Sequence, residues 1–148
     1  RSVKGINNSH MSNPHCVVAL QPTTQVSRMT KTQSATVNCV WNETFVFEDI
    51  FLSKEEFAAE KIGLNIYSRN FFVVNTLVGC CEFSLQNVYR QANHEYYRKW
   101  VPIVHPDYPE VDTGWLLVSV FVLKPGDRTP FHDVEAAGFA NTKILKEP

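Results

Sequence analysis

The feature that most constrains the fold is a nine-residue run, residues 115–123, built almost entirely from aromatic, leucine and β-branched side chains. Ser119 is the single polar residue in the run. Aromatic and β-branched side chains favour β-strands, and a strand without alternating polar residues is one that is buried on both faces or nearly so. The run therefore predicts a strand in the middle of a β-sheet.

Six further segments have strand-like composition and recur at intervals of roughly 10 to 20 residues, separated by turn residues such as proline. They cover residues 15–21, 25–32, 43–48, 61–68, 76–85 and 97–104. Repeated short strands joined by turns are typical of an all-β, mostly antiparallel sandwich of two layers. We therefore predict one such domain, spanning residues 1–127.

Helical signals are confined to two short segments. Ser53 is followed three residues later by Glu56, which is the spacing of a capping box, so a short helix is expected to begin there. A further turn of helix is expected over residues 85–89. Residues 128–148 are polar, contain two prolines and lack sustained periodicity, so they are predicted to form a tail or an interdomain linker.

The chemistry of the chain argues against several classes of function. A formal net charge of −1 provides no overall positive field of the kind that nucleic-acid binders use. The four cysteines lack a regular spacing, which favours free thiols in a reducing compartment. The five histidines show no metal-ligand spacing, and no phosphate-binding loop or nucleophile elbow occurs. We predict no catalytic residue, no cofactor and no nucleic-acid partner.

Four stretches, taken in chain order, resemble the sequence pattern of the C2 domain. They are residues 12–18 (SNPHCVV), 30–32 (TKT), 38–47 (NCVWNETFVF) and 77–79 (LVG). Residues 77–79, 88–90 (VYR), 94–100 (HEYYRKW) and 122–127 (VLKPGD) more specifically resemble the second, C2B-like, C2 domain of ferlins. The resemblance extends from residue 1 to about residue 130.

The resemblance implies an antiparallel, eight-stranded C2 β-sandwich of type II topology. It also implies one module of a tail-anchored protein with several C2 domains, which acts in membrane fusion or exocytosis at the cytoplasmic face of a vesicle or of the plasma membrane. Trp41, Tyr97 and Trp100 are expected to anchor their segments in the core of this sandwich, because large aromatic side chains dominate core packing.

In calcium-binding members of this family, carboxylates on two loops at one end of the sandwich hold the ion. Calcium requires six to eight oxygen ligands and several formal negative charges. By the spacing of the family's motifs, the equivalent positions carry amides or hydroxyls, so we predict no functional calcium site. These degenerate positions are Asn7, Asn13, Ser68, Asn70 and Thr76.

The third loop at this end carries four consecutive large apolar residues, an unusual composition for a loop tip. An exposed apolar tip can insert weakly into a phospholipid membrane or contact a protein partner, and the alternative is that it folds back onto neighbouring loops or the core. The predicted contact residues are Phe71, Phe72, Val73 and Val74, with Ile6 and Met11 on the first loop. Arg28 and Lys31 form a possible basic face, too small for a polybasic cluster.

The family's first strand precedes the stretch equivalent to residues 1–5, so this strand is expected to be missing from the chain. A sandwich without it has an unpaired edge that invites another strand. We expect the tail around residues 139–145 or a neighbouring molecule to fill the edge, the latter by strand exchange or dimerisation. Alternatively, the natural domain is longer than this chain. The two functional hypotheses are a calcium-independent docking module and a purely structural or protein-interaction domain.

Overall fold

The computed structural model describes residues 13–33, 39–69 and 75–132, together with the backbone of a short strand near the C-terminus. Its strands are β1 Pro14–Gln21, β2 Val26–Met29, β3 Lys61–Arg69, β4 Asn75–Ser84, β5 Glu95–Pro102, β6 Trp115–Phe121 and β7 Ile144–Leu145. Helix α1 (Lys54–Ala59) precedes β3, and helix α2 (Leu85–Tyr89) follows β4. Every strand pair is antiparallel.

The strands form two sheets. Sheet A has the order β2-β1-β3-β4, and sheet B has the order β5-β6-β7. The core lies between them, because alternate residues of both sheets contribute to one buried cluster. Among its members are Cys16, Val18, Leu64, Ile66, Leu116, Val118 and Val120. The predicted antiparallel C2 β-sandwich is confirmed.

Strand β6 matches the prediction from its composition. It is the middle strand of sheet B, and its five central residues are all buried. Leu116, Val118 and Val120 face the core, whereas Leu117 and Ser119 alternate with them and lie on the opposite face. The strand is therefore covered on both sides.

The predicted capping box is present at the start of α1. The Ser53 hydroxyl accepts the backbone N–H of Glu56, and the Glu56 carboxylate accepts the backbone N–H of Ser53. The predicted turn of helix over residues 85–89 coincides with α2. Both elements formed as expected because local capping and composition specify them without reference to distant residues.

Residues 43–48 were predicted to be a strand, and this prediction is wrong. The segment has the alternating burial of a strand, with Phe45 and Phe47 packed against the core and Val46 58% exposed. However, it belongs to none of the strands that the described residues form. Alternating hydrophobicity specifies which side chains are buried, whereas a ladder also requires a neighbouring strand at hydrogen-bonding distance.

The three predicted core aromatics have different environments. Trp41 is 5% exposed and belongs to the core cluster, as expected. The prediction for Tyr97 and Trp100 is wrong. Trp100 neighbours the core residue Val101 on β5 and therefore lies on the outer face of sheet B, and Tyr97 stacks on His132. A bulge between Tyr96 and Lys99 shifts the register of β5. The side of the sheet on which each β5 side chain lies is therefore difficult to predict from the sequence.

Sheet A closely approaches the chain between β5 and β6 at Gly79. Next to it, Cys80 and Val104 exchange two backbone hydrogen bonds, both 3.0 Å long. A Cβ atom placed on Gly79 would lie 3.2 Å from the backbone nitrogen of Val104 and 3.3 Å from the Thr113 hydroxyl oxygen. Glycine therefore permits this close approach of two backbones.

Candidate functional site

Three of the five positions assigned to a lost calcium site come together at one end of sheet A. Ser68 is the register partner of Pro14, which follows Asn13, and also of Thr76 on β4. Asn13, Ser68 and Thr76 are therefore neighbours at this end of the sheet. The other two positions, Asn7 and Asn70, lie outside the described residues, as do all six predicted contact residues, Ile6, Met11, Phe71, Phe72, Val73 and Val74.

Asn13 joins the first loop to the end of β3 through two hydrogen bonds. Its side-chain amide donates to the carbonyl oxygen of Arg69 at 2.9 Å, and the backbone N–H of Arg69 donates to the carbonyl oxygen of Asn13 at 3.0 Å. We call this pair the Asn13–Arg69 clamp. An aspartate at position 13 has no donor for the first of these bonds. The amide thus links the first loop directly to the end of β3.

The electrostatics of this end are neutral to positive. Arg69 contributes a guanidinium, whereas Asn13, Ser68 and Thr76 contribute only uncharged oxygens and nitrogens. Within the described ranges, no group of three histidine, cysteine or acidic side chains is arranged to hold a metal ion.

His15 lies beneath this end and was not singled out by sequence reasoning. Its ring is 4% exposed and stacks on Tyr67, with ring centroids 5.6 Å apart. Burial lowers the pKa of His15, and the nearby charge of Arg69 lowers it further, so the imidazole is neutral at physiological pH. Arg69 is therefore the cation that this part of the described structure presents.

The predicted apolar tip is attached to this same end. Arg69 and Asn75 are register partners at the end of the β3–β4 hairpin, and five residues, 70–74, connect them. Arg69 and Asn75 therefore flank the predicted tip in the sequence, and Arg69 itself takes part in the Asn13–Arg69 clamp.

The two predicted basic residues, Arg28 and Lys31, lie on the edge strand β2 of sheet A and just beyond its end. Arg28 is paired with the core residue Val18, and its guanidinium carbon lies 5.6 Å from the ring centroid of Phe47 at the margin of the sandwich. Lys31 lies beyond the end of β2, where its backbone N–H donates to the Glu43 carboxylate at 2.9 Å. Arg28 thus covers an aromatic ring, an arrangement that stabilises the edge of the fold.

The outer face of sheet A is close to neutral. Lys61, at the start of β3, is paired with Glu82 at 3.2 Å, and both side chains are at least half exposed. Met29, which is 64% exposed, lies opposite Val17 on the same face. In the part of the sheet that the structure describes, the face therefore has a compensated charge and an apolar margin.

With the two-sheet fold and the loop end established, comparison with known proteins identifies the class. A sequence model of the C2 domain matches residues 1–103. The chain belongs to the C2 domain family.

Within this family, the chain is a C2 domain of the ferlin type. It is 36% identical over 110 residues to Ferlin 2 of Tetrahymena thermophila, a match that covers 74% of this chain and 6% of that protein. It is 30% identical over 127 residues to Ferlin 1 of Toxoplasma gondii, covering 82% and 9%, and 29% identical over 94 residues to human Myoferlin, covering 63% and 4%. The chain thus spans less than a tenth of the length of each of these relatives.

A solved structure supports the fold. It is described as "CC2D1B coordinates ESRCT-III activity during the mitotic reformation of the nuclear envelope", and the similarity has a TM-score of 0.64 at 16% identity. The match covers 99% of this chain and 59% of that chain. At this level of identity it establishes shared architecture alone. None of the helices in the described ranges has the length and apolar character needed to cross a bilayer.

Proposed function

We propose that this domain is a calcium-independent docking module, equivalent to the second C2 domain of a ferlin-like protein that acts in vesicle fusion or exocytosis. It binds and does not catalyse. The observation that supports this proposal most directly is the Asn13–Arg69 clamp, in which the side-chain amide of Asn13 donates a hydrogen bond to the carbonyl oxygen of Arg69.

The physical argument concerns charge. A calcium ion loses a tightly held hydration shell on binding, and anionic oxygens must replace it. At this end of the sandwich the described side chains offer neutral oxygens beside the Arg69 guanidinium. The clamp also joins Asn13 directly to the end of β3 through two hydrogen bonds. Both observations support a domain that functions independently of calcium.

The docking element is the apolar tip of residues 71–74, which would insert weakly into the interfacial region of a phospholipid membrane on the cytoplasmic side. Burial of two phenylalanine side chains contributes about 3 to 6 kcal/mol at most, before the loss of translational and conformational freedom is subtracted. Binding by one such domain is consequently weak. Linkage to further domains in a tail-anchored protein would strengthen it through effective concentration.

The test is co-sedimentation of the full chain with phosphatidylcholine–phosphatidylserine vesicles, with and without calcium. Binding should be the same in both conditions, and the double substitution F71S/F72S should reduce it. Phe51→Ser is the matched control, because Phe51 is 88% exposed but precedes α1 and is remote in the chain from the tip. Binding that requires calcium would contradict the proposal. Equal loss in the control would show general adsorption of apolar side chains and contradict the assignment to the tip.

A second candidate is a protein-interaction domain without lipid binding. The outer face of sheet A favours this candidate. Lys61, the one lysine in the described strands of this sheet, is already paired there with Glu82. Such a face offers little attraction to anionic headgroups. The test immobilises this domain and measures whether it retains the other domains of the full-length protein. Retention that F71S/F72S abolishes, together with no binding to vesicles, would show that the tip contacts protein. The lipid proposal would then be wrong.

A further inference from the structure

Two aromatic side chains from the two helices form the walls of a small cage at the surface. Phe57 lies on α1, and Tyr89 is the last residue of α2. Their ring centroids are 6.1 Å apart and their planes are almost perpendicular, at 84°. His94 stacks on Tyr89, with ring centroids 3.8 Å apart and planes 2° from parallel. All three rings are half-buried, so neighbouring residues hold the walls of the cage in place.

The cage contains a positive charge. The Nζ atom of Lys124 lies 4.4 Å from the ring centroid of Tyr89 and 4.8 Å from that of Phe57. Both distances are within the roughly 6 Å over which the face of an aromatic ring attracts a cation. Lys124 itself is exposed to solvent. The chain's own lysine therefore occupies a site whose geometry suits a cation.

The turn that carries Lys124 is fixed beside Tyr89. Pro125 and Gly126 occupy its central positions, and the φ of +90° at Gly126 is the one that a type II turn requires. The Asp127 carboxylate accepts the backbone N–H of Lys124 at 2.8 Å. It also accepts the Tyr89 hydroxyl, and this hydrogen bond raises the pKa of Tyr89. The backbone of the turn is thus held, whereas the long Lys124 side chain is free to rotate at its own bonds.

We propose that the cage of Phe57 and Tyr89 binds the quaternary ammonium of a phosphocholine group, and that Lys124 leaves the cage to pair with the phosphate. A lysine ammonium is strongly hydrated and gains little from aromatic walls. A quaternary ammonium has no N–H to donate to water, and aromatic cages are a general means of recognising it. Because a short ethylene linker joins the ammonium to the phosphate, the displaced Lys124 remains within reach of the anion. The exchange keeps one positive charge in the cage and adds an ion pair.

The cage lies at the end of sheet A opposite to the Asn13–Arg69 clamp. Strand β3 begins at Lys61, just after α1, and ends at Arg69. A strand of nine residues is roughly 26 Å long from its first to its last residue. The phosphocholine site is therefore distinct from the degenerate calcium positions that the structure describes. The proposal does not depend on the apolar tip.

The experiment titrates the full chain with choline and with phosphocholine and follows the backbone amide signals of Gly126 and Asp127 by NMR. Phosphocholine should bind about three- to tenfold more tightly than choline, because Lys124 pairs with its phosphate. Phosphoethanolamine carries the same phosphate on a primary ammonium and should bind about tenfold more weakly than phosphocholine. In Lys124→Ala both the competitor and the phosphate partner are lost. Choline should then bind more tightly than it does to the wild type, with an affinity equal to that of phosphocholine.

A cage variant and a matched control test the aromatic walls. Phe57→Leu keeps an apolar side chain but removes the ring, and should weaken phosphocholine binding about fivefold or more. Tyr108→Leu is the control. Strand β5 runs from Glu95, next to His94, to Pro102, and Tyr108 lies in the loop beyond that far end. This control should leave the affinity unchanged.

Equal binding of phosphoethanolamine and phosphocholine would overturn the proposal, as would an unchanged affinity in a folded Phe57→Leu. If that variant does not fold, Lys124→Ala decides the matter, since a preference for phosphocholine over choline that persists without Lys124 refutes the exchange. Co-sedimentation with phosphatidylcholine vesicles identifies the source of the ligand. Vesicle binding that soluble phosphocholine displaces supports a lipid headgroup as the ligand. Binding of soluble phosphocholine without such displacement supports a free phosphocholine ester.

Discussion

The side-chain amide nitrogen of Asn13 lies 2.9 Å from the carbonyl oxygen of Arg69. Replacing Asn13 with aspartate removes the donor and places a carboxylate against a carbonyl oxygen. We expect the free energy of unfolding of this variant, measured by urea titration, to be about 1 kcal/mol lower than that of the wild type. Asn13→Asp should also fail to bind calcium in isothermal titration calorimetry, because Ser68 and Thr76 remain uncharged. Micromolar calcium affinity in this single variant would show that the amide at position 13 alone prevents binding and that the uncharged Ser68 and Thr76 do not.

A second prediction concerns Glu60, which is fully buried after the end of α1. Its carboxylate accepts the backbone N–H groups of Thr23 and Thr24, both at 2.8 Å, and the Thr24 hydroxyl. Glu60→Gln replaces one acceptor oxygen with a donor that faces these groups, and should destabilise the domain by about 2 to 4 kcal/mol. Chemical denaturation measures this loss. Glu82→Gln, at an exposed ion pair, should change stability by less than about 1 kcal/mol.

The pH dependence of stability gives a separate test of Glu60. Burial by itself raises the pKa of this carboxyl, but the three hydrogen bonds from Thr23 and Thr24 outweigh burial and lower it below its ordinary value. Its contribution is therefore fully present above the pKa of the unfolded chain and is lost as the pH falls through the lower pKa of the folded state. Denaturation curves at neutral and acidic pH should show a smaller pH-dependent loss in Glu60→Gln than in the wild type. Equal losses would indicate that other groups control acid stability.

A third prediction uses two glycines in neighbouring strands. At Gly79 an added methyl group would lie 3.2 Å from a backbone nitrogen, whereas at Gly63 the nearest atom is a side-chain nitrogen 3.7 Å away. Gly79→Ala should therefore cost about 1 to 3 kcal/mol, and Gly63→Ala should be close to neutral. Thermal unfolding of the two variants measures the difference. A Gly79→Ala variant as stable as Gly63→Ala would show that the two backbones separate without cost.

The cysteines provide a fourth prediction. Burial raises the pKa of Cys39 and of Cys81 to about 12, the latter aided by Cys80 and Glu82, and also raises the pKa of Cys16 well above its ordinary value. At pH 8 these thiols should react with iodoacetamide roughly a thousandfold more slowly than in the unfolded chain, because the thiolate is the reactive form. Mass spectrometry of the alkylated protein measures the alkylation rate of each cysteine.

Cys80 is the internal comparison for that experiment. It is only partly buried, and its thiol contacts the carbonyl oxygen of Val104 at 3.5 Å. It should therefore be the first cysteine to be alkylated in the folded protein. Alkylation of Cys16 or Cys39 ahead of Cys80 would mean that the core opens more readily than its packing indicates.

Most of the fold could be predicted because the information is local. The composition of residues 61–68 and 115–123 identified β3 and β6, and the spacing of Ser53 and Glu56 identified α1. The error at residues 43–48 has a physical cause, since a strand depends on a partner that hydrophobic alternation does not specify. Strand β7 has two residues, which is too short to produce a periodic signal.

For the part of the candidate site that the structure describes, the sequence did not reveal the interactions. Motif spacing placed Asn13, Ser68 and Thr76 at one end of the sandwich, where the structure finds them together. The partner of Asn13 is a backbone carbonyl, which every residue possesses, so no sequence signal distinguishes Arg69 as that partner. The burial of His15 escaped prediction for a similar reason, because β1 already presented Cys16 and Val18 to the core.

The placement of β7 has a mechanical consequence. Tension applied to the C-terminus would load the two paired residues of β7 at the edge of sheet B, where hydrogen bonds break one after another as the strand is peeled away. The ladder between β1 and β3, with eight paired positions, would bear little of that load at first. Under a pulling force the domain would therefore lengthen in two stages, first releasing its C-terminal segment and only later losing the sandwich itself.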